Sequence, residues 1–348
     1  MARIIGRGHS FDDVLIVPKY NKVPSRKDVS FKTRVTKNYS IEIPILAANM
    51  DTICESKMAI ALGKLGGLGV IHRFMPVEKQ AAEVKEVKKE GLLCAAAIGV
   101  KDFQERAEAL VKAGLEILVI DIAHGHSKYA GKTLDYLKAT YPHIDVMAGN
   151  VATKDAAEYF LSKKADAIKV GIGAGSMCTT RLMTGVGIPQ VTAIMDAYEA
   201  SQGKIPICAD QSIRTSGDIV KALGAGANIV MCGFLLAGTD ETPGRIIKRK
   251  GHRFKLYRGS ASYDVSLKNK GAEEDIVSVE GTQTLIPYKG PITPIIKEIL
   301  GGLASGMTYV GARDIENLVG KADFIEISSA GFEESKPHGK NKRFPDDF

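Results

Sequence analysis

Short, almost uninterrupted apolar runs alternate along this chain with longer runs in which apolar residues recur every three or four positions. The short runs are 43–48, 69–71, 95–98, 117–122, 145–149, 167–171, 206–209 and 228–232. A strand covered on both faces has no polar side to present, so it is written as a continuous apolar run of this length. Between the runs, residues 76–89 place Val77, Ala81, Val84 and Val87 on one side of a helix. Residues 103–112 repeat the pattern with Ala107, Leu110 and Val111, as do 155–163 and 217–223. Glycine-rich stops at 66–69 and 224–226 close helical runs. Eight strand–helix units predict a closed (β/α)8 TIM barrel of the α/β class; an open doubly wound sheet is the alternative.

Two segments stand outside the repeat. Residues 1–40 precede the first strand and are expected to cap the barrel as an N-terminal extension. The polar stretch after the eighth strand, roughly 255–285, leaves from the end where barrel active sites form. It reads as a C-terminal flap, with a surface insertion as the plainer alternative. The expected organisation is one barrel domain over 1–348. A chain of 348 residues with 45% hydrophobic content supplies a core of that size.

Charge narrows the partners. The net charge of +7 comes from 47 basic and 40 acidic residues. The basic residues are scattered, with dense runs only at 248–250 and 336–343. A pocket for an anionic metabolite fits better than nucleic acid. Five cysteines, none in a CxxC spacing, argue against zinc or iron–sulfur sites and suit a reducing compartment. The first residues lack an apolar signal core, and no stretch is long and apolar enough for a membrane span. The expectation is a cytoplasmic protein with no membrane partner.

In a barrel, residues just past the strand ends face the active site. Here those positions are polar or small: Asn49 to Asp51, His72 and Arg73, Asp121 to Ser127, Gly149 and Asn150, then Gly171 to Arg181, Asp210 to Ser212, and Gly233. The sixth of these loops is the most informative. Gly171, Gly173 and Gly175 allow close approach of a ligand or ion, and the loop's carbonyls suit a monovalent cation. Cys178 follows, beside two threonines and Arg181. It reads either as a nucleophile, its thiolate favoured by a nearby cation, or as a small buried hydrophobe. The other four cysteines lie in or beside apolar runs and read as core. Asp210 suits ribose hydroxyls. Ser212, Gly233, Gly259 and Ser260 offer hydroxyls and backbone N–H groups to a phosphate. His124 and His126 read as structural, as cleft residues or as acid–base groups; their spacing is weak for a metal.

Taken together these segments closely resemble the family of IMP dehydrogenases and GMP reductases. The resemblance spans nearly the whole chain. It is carried by residues 11–15, 48–52, 121–127, 149–151, 171–181, 184–187, 288–290 and 301–303, most specifically by the run Gly-Ser-Met-Cys-Thr-Thr-Arg at 175–181. It implies that Cys178 adds to C2 of a purine nucleotide to give a thioimidate, with Thr180 and Glu280 as a proton relay. It implies substrate contacts from Asp210, Gln211, Ser212, Gly233, Phe234, Gly259, Ser260, Ala261, Arg181 and Gly281. Arg73, Asp121, Ile122, Ala123, Asn150, Ile172 and Gly173 would line the nicotinamide cleft, with Ser25 and Arg26 at the 2′-phosphate of NADPH. Gly173, Gly175, Cys178 and Arg181 would hold a potassium ion, and the assembly would be a homotetramer.

Within the family, several features favour NADPH-dependent conversion of GMP to IMP and ammonia. The regulatory domains that many dehydrogenases insert after the second strand are missing. The flap is short and has no arginine between Ser260 and Glu280, so the Arg–Tyr pair that activates water in dehydrogenases has no counterpart there. Ser25-Arg26, 47–50 and 121–123 also resemble the reductases. Residues 257–259, 213–218 and 334–338 resemble the dehydrogenases instead. The alternatives are an IMP dehydrogenase without regulatory domains, a reductase acting on another purine nucleotide, and a non-catalytic nucleotide- or RNA-binding barrel. Two departures fall at the implied phosphate site: Gln211-Ser212 where the family usually has Gly-Gly, and Phe234 where it often has Ser or Gly.

Overall fold

A computed structural model describes residues 1–260 and 280–337. Eight parallel strands close into a barrel: β1 (Ile45–Ala47), β2 (Leu68–Ile71), β3 (Ala95–Ile98), β4 (Ile117–Asp121), β5 (Asp145–Val151), β6 (Ala167–Val170), β7 (Ile207–Asp210) and β8 (Ile229–Cys232). Pairing of Val230 with Ile45 joins β8 to β1 and completes the ring. All eight apolar runs form strands, which establishes the TIM barrel over the open sheet. The fifth runs past its expected end because the ladder resumes at Val151 after a register shift at Gly149.

The helices form the outer layer: α1 (Ser56–Lys64), α2 (Val77–Lys89), α3 (Phe103–Lys112), α4 (Lys128–Thr140), α5 (Lys154–Ser162), the short α6 (Thr180–Thr184), α7 (Gln190–Ser201), α8 (Ser216–Ala225) and α9 (Ile292–Tyr309). Several start at a hydroxyl cap soon after a strand ends. Ser127 accepts from the Ala130 N–H, Thr153 from Ala156 and Thr215 from Asp218. Each satisfies a backbone donor that the first helical turn leaves open. Among the described residues, no helix is long and apolar enough to cross a membrane.

The N-terminal extension closes the end of the barrel where the strands begin. The hairpin of Thr33–Arg34 and Ser40–Ile41 carries Thr36, whose hydroxyl donates to the buried Asp145 carboxylate at 2.6 Å. Asn38 binds the same carboxylate, and the Lys37 N–H donates to the Asp166 carbonyl at 2.9 Å. At the opposite end, the chain leaving β8 forms an antiparallel ribbon of β9 (Ile247–Arg249), β10 (His252–Arg258) and β11 (Gln283–Pro287). The expected flap therefore rises from a β-ribbon. Residues 261–279, between its two long strands, lie outside the described residues.

Close helix–sheet contact depends on Gly69 in β2. A Cβ there would sit 2.4 Å from the Ala59 Cα in α1 and 2.9 Å from the Cys54 sulfur. The Ala59 backbone has no rotamer with which to retreat. Gly69→Ala is expected to destabilise the fold by about 1–3 kcal/mol through overpacking, read as a lower denaturant midpoint. An unchanged midpoint would mean that α1 moves off the sheet at no cost.

Candidate active site

The loops past the strand ends enclose one cavity. Its wall includes Asn49, Arg73, Asp121, Asn150, Lys169, Cys178, Thr180, Asp210, Tyr257 and Glu280. Cys178 is half-buried, whereas Cys54, Cys94, Cys208 and Cys232 are fully buried. Burial pushes the Cys94 and Cys232 thiols up to about 12 and raises Cys54 and Cys208 well above the usual range. Those four are protonated and out of reach. Exposure thus separates Cys178 from the rest.

The surroundings of Cys178 come from two distant parts of the chain. Its sulfur lies 3.0 Å from the Thr180 hydroxyl oxygen, and that hydroxyl donates to Glu280 Oε2 at 2.7 Å. Glu280 is 102 positions along the sequence from Cys178, yet the backbone places it there. The Thr179 N–H donates to the Glu280 carbonyl at 2.9 Å, the Thr282 N–H donates to the Met177 carbonyl at 2.9 Å, and Cys178 pairs with Gly281 as an antiparallel bridge. The ribbon's root is thereby stitched to the cysteine loop. Arg258 ties the ribbon to the end of β1: its guanidinium is ion-paired with Asp51, Nε to Oδ2 at 2.9 Å. Sulfur, hydroxyl and carboxylate in series can carry a proton to or from a group reacting at the sulfur.

A second network lies deeper. Lys169 in β6 is 1% exposed, and its ammonium donates to Asp121 Oδ1 at 2.9 Å and Asp210 Oδ2 at 2.7 Å. Asn150 Nδ2 donates to the same Asp210 oxygen at 2.9 Å and to the Gly171 carbonyl at 2.8 Å. The irregularity after Gly149 re-aims Asn150 inward, a common use of a bulge beside a site. Glycine is needed at 149, because a Cβ there would lie 2.6 Å from the Lys169 Cβ. Burial alone would raise the Asp121 carboxyl, but Lys169 and then Arg73 outweigh it and hold the group below its ordinary value. Burial opposes the charge on Lys169 as well, and the two carboxylates overcome it and raise its pKa. The result is a pair of carboxylate acceptors held in place on the cavity wall.

The loop after β7 departs from ordinary backbone geometry. Gln211 and Ser212 have φ of 102° and 61°, a region that disfavours side chains at on the order of 1–3 kcal/mol each. Both side chains bind Ala174 of the cysteine loop. Gln211 Oε1 accepts from the Ala174 N–H at 2.6 Å, and the Ser212 hydroxyl donates to the Ala174 carbonyl at 2.5 Å.

The cavity gathers most of the residues picked out in the sequence: Cys178, Thr180, Glu280, Asp210, Gln211, Ser212, Gly233, Phe234, Gly259, Ser260, Arg73, Asp121, Ile122, Ala123, Asn150, Ile172, Gly173 and Gly175. Four are placed differently. Ser25 caps a 3-10 turn, Arg26–Asp28, and neither it nor Arg26 lines the cavity. The Arg181 stem packs behind the glycine loop, where a Cβ on Gly173 or Gly187 would meet its Cγ at 2.7 Å. Gly281 serves the backbone bridge to Cys178. Ala261 lies outside the described residues. Lys169 and Tyr257 were not picked out. The signal for Lys169 was a single charge inside an otherwise apolar strand. Tyr257, 3% exposed, meets the Ser176 hydroxyl at 3.0 Å, and sits on an alternating strand hidden in a stretch read as flap.

Lys169→Met should leave two carboxylates without their cation and destabilise the protein at neutral pH by roughly 3–5 kcal/mol. In the wild type, Asp121 has a lowered pKa, so its contribution is present above the unfolded pKa and is lost as pH falls through the folded one. In the variant, acid instead neutralises carboxylates that are costly to bury. The stability gap between the two proteins should therefore narrow on acidification below about pH 5, near and below the unfolded carboxylate pKa. Denaturant titrations at several pH values check this; a gap independent of pH would remove Lys169 from the role.

The model of the IMP dehydrogenase / GMP reductase domain matches residues 8–338. An inosine-5′-monophosphate dehydrogenase from Borreliella burgdorferi is 41% identical, the alignment covering 94% of this chain and 96% of that protein. A GMP reductase from Leishmania donovani is 32% identical, over 96% of this chain and 97% of its own. Among solved structures, a cysteine-to-alanine variant of GMP reductase from Trypanosoma brucei, in complex with guanosine 5′-monophosphate, superposes with a TM-score of 0.91 at 30% identity. That match covers 97% of this chain and 99% of the other. Matched over nearly all of its length, the chain belongs to the IMP dehydrogenase / GMP reductase family of oxidoreductases.

Proposed function

We propose that the protein converts GMP to IMP and ammonia with NADPH as hydride donor. The observation that carries this reading is the hydrogen-bonded series from the Cys178 sulfur through Thr180 to Glu280. Attack of the thiolate on purine C2 forms a C–S bond, and the exocyclic amine departs as ammonia, leaving a thioimidate. Thr180 and Glu280 pass the departing nitrogen its proton. When bound, NADPH supplies a hydride to C2; the C–S bond then breaks and Cys178 leaves as thiolate. Overall, GMP, NADPH and two protons give IMP, ammonium and NADP+.

The cavity wall suits both ligands. Asp210, fixed by Lys169 and Asn150, can accept from ribose hydroxyls. The backbone N–H groups of Gly233 and Ser212 and the Ser260 hydroxyl can donate to a phosphate, whereas the Gly259 N–H and the Ser212 hydroxyl are engaged with the Thr282 and Ala174 carbonyls. On the other side Arg73 Nε and Asn150 Oδ1 are buried without a hydrogen-bond partner among the described residues, as expected of atoms that a bound nicotinamide nucleotide would satisfy. Arg73, Asp121, Ile122, Ala123, Asn150, Ile172 and Gly173 would hold the cofactor. Ser25 and Arg26, which lie off the cavity wall of the single chain, would meet its 2′-phosphate in a homotetramer, and carbonyls of Gly173, Gly175, Cys178 and Arg181 would bind potassium.

An IMP dehydrogenase is the second reading, favoured by the higher identity to the Borreliella enzyme. Against it, the segment between Ser260 and Glu280 contains no arginine, and Arg258 just before it is ion-paired with Asp51. The absorbance of reduced nicotinamide separates the two. It should fall with GMP and NADPH and stay flat with IMP and NAD; the reverse would make the protein a dehydrogenase. Silence in both would direct attention to another purine nucleotide, given Gln211 and Phe234.

Cys178→Ala should abolish turnover while GMP binding, followed by calorimetry, stays within a few-fold of the parent; surviving turnover would exclude the covalent route. Arg26→Ala should raise the KM for NADPH far more than for NADH, and an equal rise would exclude the 2′-phosphate contact.

A further inference from the structure

We infer that Gln211 and Ser212 are positioning residues that fasten the cysteine loop in its attack-ready arrangement before a nucleotide binds. The two residues occupy successive left-handed backbone positions, φ 102° and 61°, which glycine would fill without strain. Side chains at such sites persist where the surroundings over-determine them. Here the surroundings are the two polar groups of a single peptide residue. Ala174 N–H donates to Gln211 Oε1, and the Ala174 carbonyl accepts from the Ser212 hydroxyl. Because the donor is a backbone N–H, the Gln211 atom bound to it is the carbonyl oxygen.

The clasp falls at the centre of the loop that needs holding. Ala174 lies between Gly173, itself at φ 77°, and Gly175, whose carbonyl accepts from the Cys178 N–H at 3.0 Å. A Cβ on Gly175 would contact both the Cys178 Cβ at 3.2 Å and the Gln211 side chain at 3.8 Å, so the Gln211 stem runs alongside the turn that carries the nucleophile. A glycine-rich loop has a large conformational entropy to lose on ordering. Two side-chain bonds from the rigid end of β7 remove part of that freedom in the free protein. The same β7 end carries Asp210, so the clasp sets the distance between the nucleophile loop and the carboxylate held by Lys169. Preorganisation of this kind acts on nucleotide affinity as well as on the chemical step.

The inference rests on the proposed nucleotide site, but its test does not need turnover. Amide hydrogen exchange of the full chain is compared for the wild type and for Gln211→Met, Gln211→Glu and Gln211→Gly, together with binding of GMP and of IMP. Gln211→Met removes the acceptor and keeps the length; Gln211→Glu keeps an acceptor for the Ala174 N–H. Gln211→Gly relieves the backbone and remains informative should Gln211→Met fold poorly. The expected result is exchange of the Ala174 amide at least about tenfold faster in Gln211→Met and Gln211→Gly, with the barrel strands unchanged. GMP or IMP should bind these two variants about three- to tenfold more weakly, and Gln211→Glu should keep Ala174 exchange as slow as in the wild type. Unchanged Ala174 exchange in Gln211→Gly would overturn the inference. So would faster exchange spread through the whole barrel, or Ala174 exchange in Gln211→Glu as fast as in Gln211→Gly. If neither GMP nor IMP binds the wild type, the proposed nucleotide reading fails, while the exchange data still decide whether the clasp holds the loop.

Discussion

A lysine ammonium enclosed in a barrel interior is stable only where carboxylates surround it, and Lys169 has two. Its bonds to Asp121 and Asp210 join the ends of β4 and β7 across β6. Removing one member of the trio leaves its partners without their ion pair in a buried setting, which is costly. Their hydrogen bonds fix two carboxylates on the cavity wall, one on the side expected to hold the nicotinamide and one on the side expected to hold the ribose. Gly149 leaves room for the lysine stem, and the bulge beyond it turns Asn150 onto Asp210.

The reactive part of the site is assembled differently. Cys178 sits on a glycine loop whose sequence specifies little conformation by itself. Its geometry is borrowed from both flanks: the ribbon root, through the backbone bridge of Cys178 to Gly281, and the β7 loop, through Ala174. The first of these flanks also delivers Glu280 to Thr180. The Cys178 sulfur, the Thr180 hydroxyl and the Glu280 carboxylate therefore form one unit, and its formation requires that the ribbon dock on the barrel.

Legibility in the sequence followed this division. The eight strands were readable because a doubly covered strand has a simple apolar signature, and the site residues at their ends followed from barrel geometry. Cys178, Asp210 and Asn150 were found in that way. Glu280 was not, because nothing local links a glutamate after a polar stretch to a threonine 100 positions earlier; only family resemblance supplied it. Lys169 was passed over because its significance depends on partners from two other strands. The ribbon strands went unrecognised because β10 mixes arginines, lysine and aromatics, being buried on one face only. The backbone strain at Gln211 and Ser212 has no one-dimensional signal beyond the replacement of glycines.

The central claim is covalent attack by Cys178 at purine C2, and it holds whichever direction the reaction runs. GMP losing ammonia and IMP losing hydride both lead to the same thioimidate. The most direct measurement is peptide-resolved mass spectrometry of protein acid-quenched during turnover. The account predicts an adduct equal to GMP less ammonia, confined to the peptide that contains Cys178. Turnover with no adduct there, or with the adduct on another peptide, would contradict it.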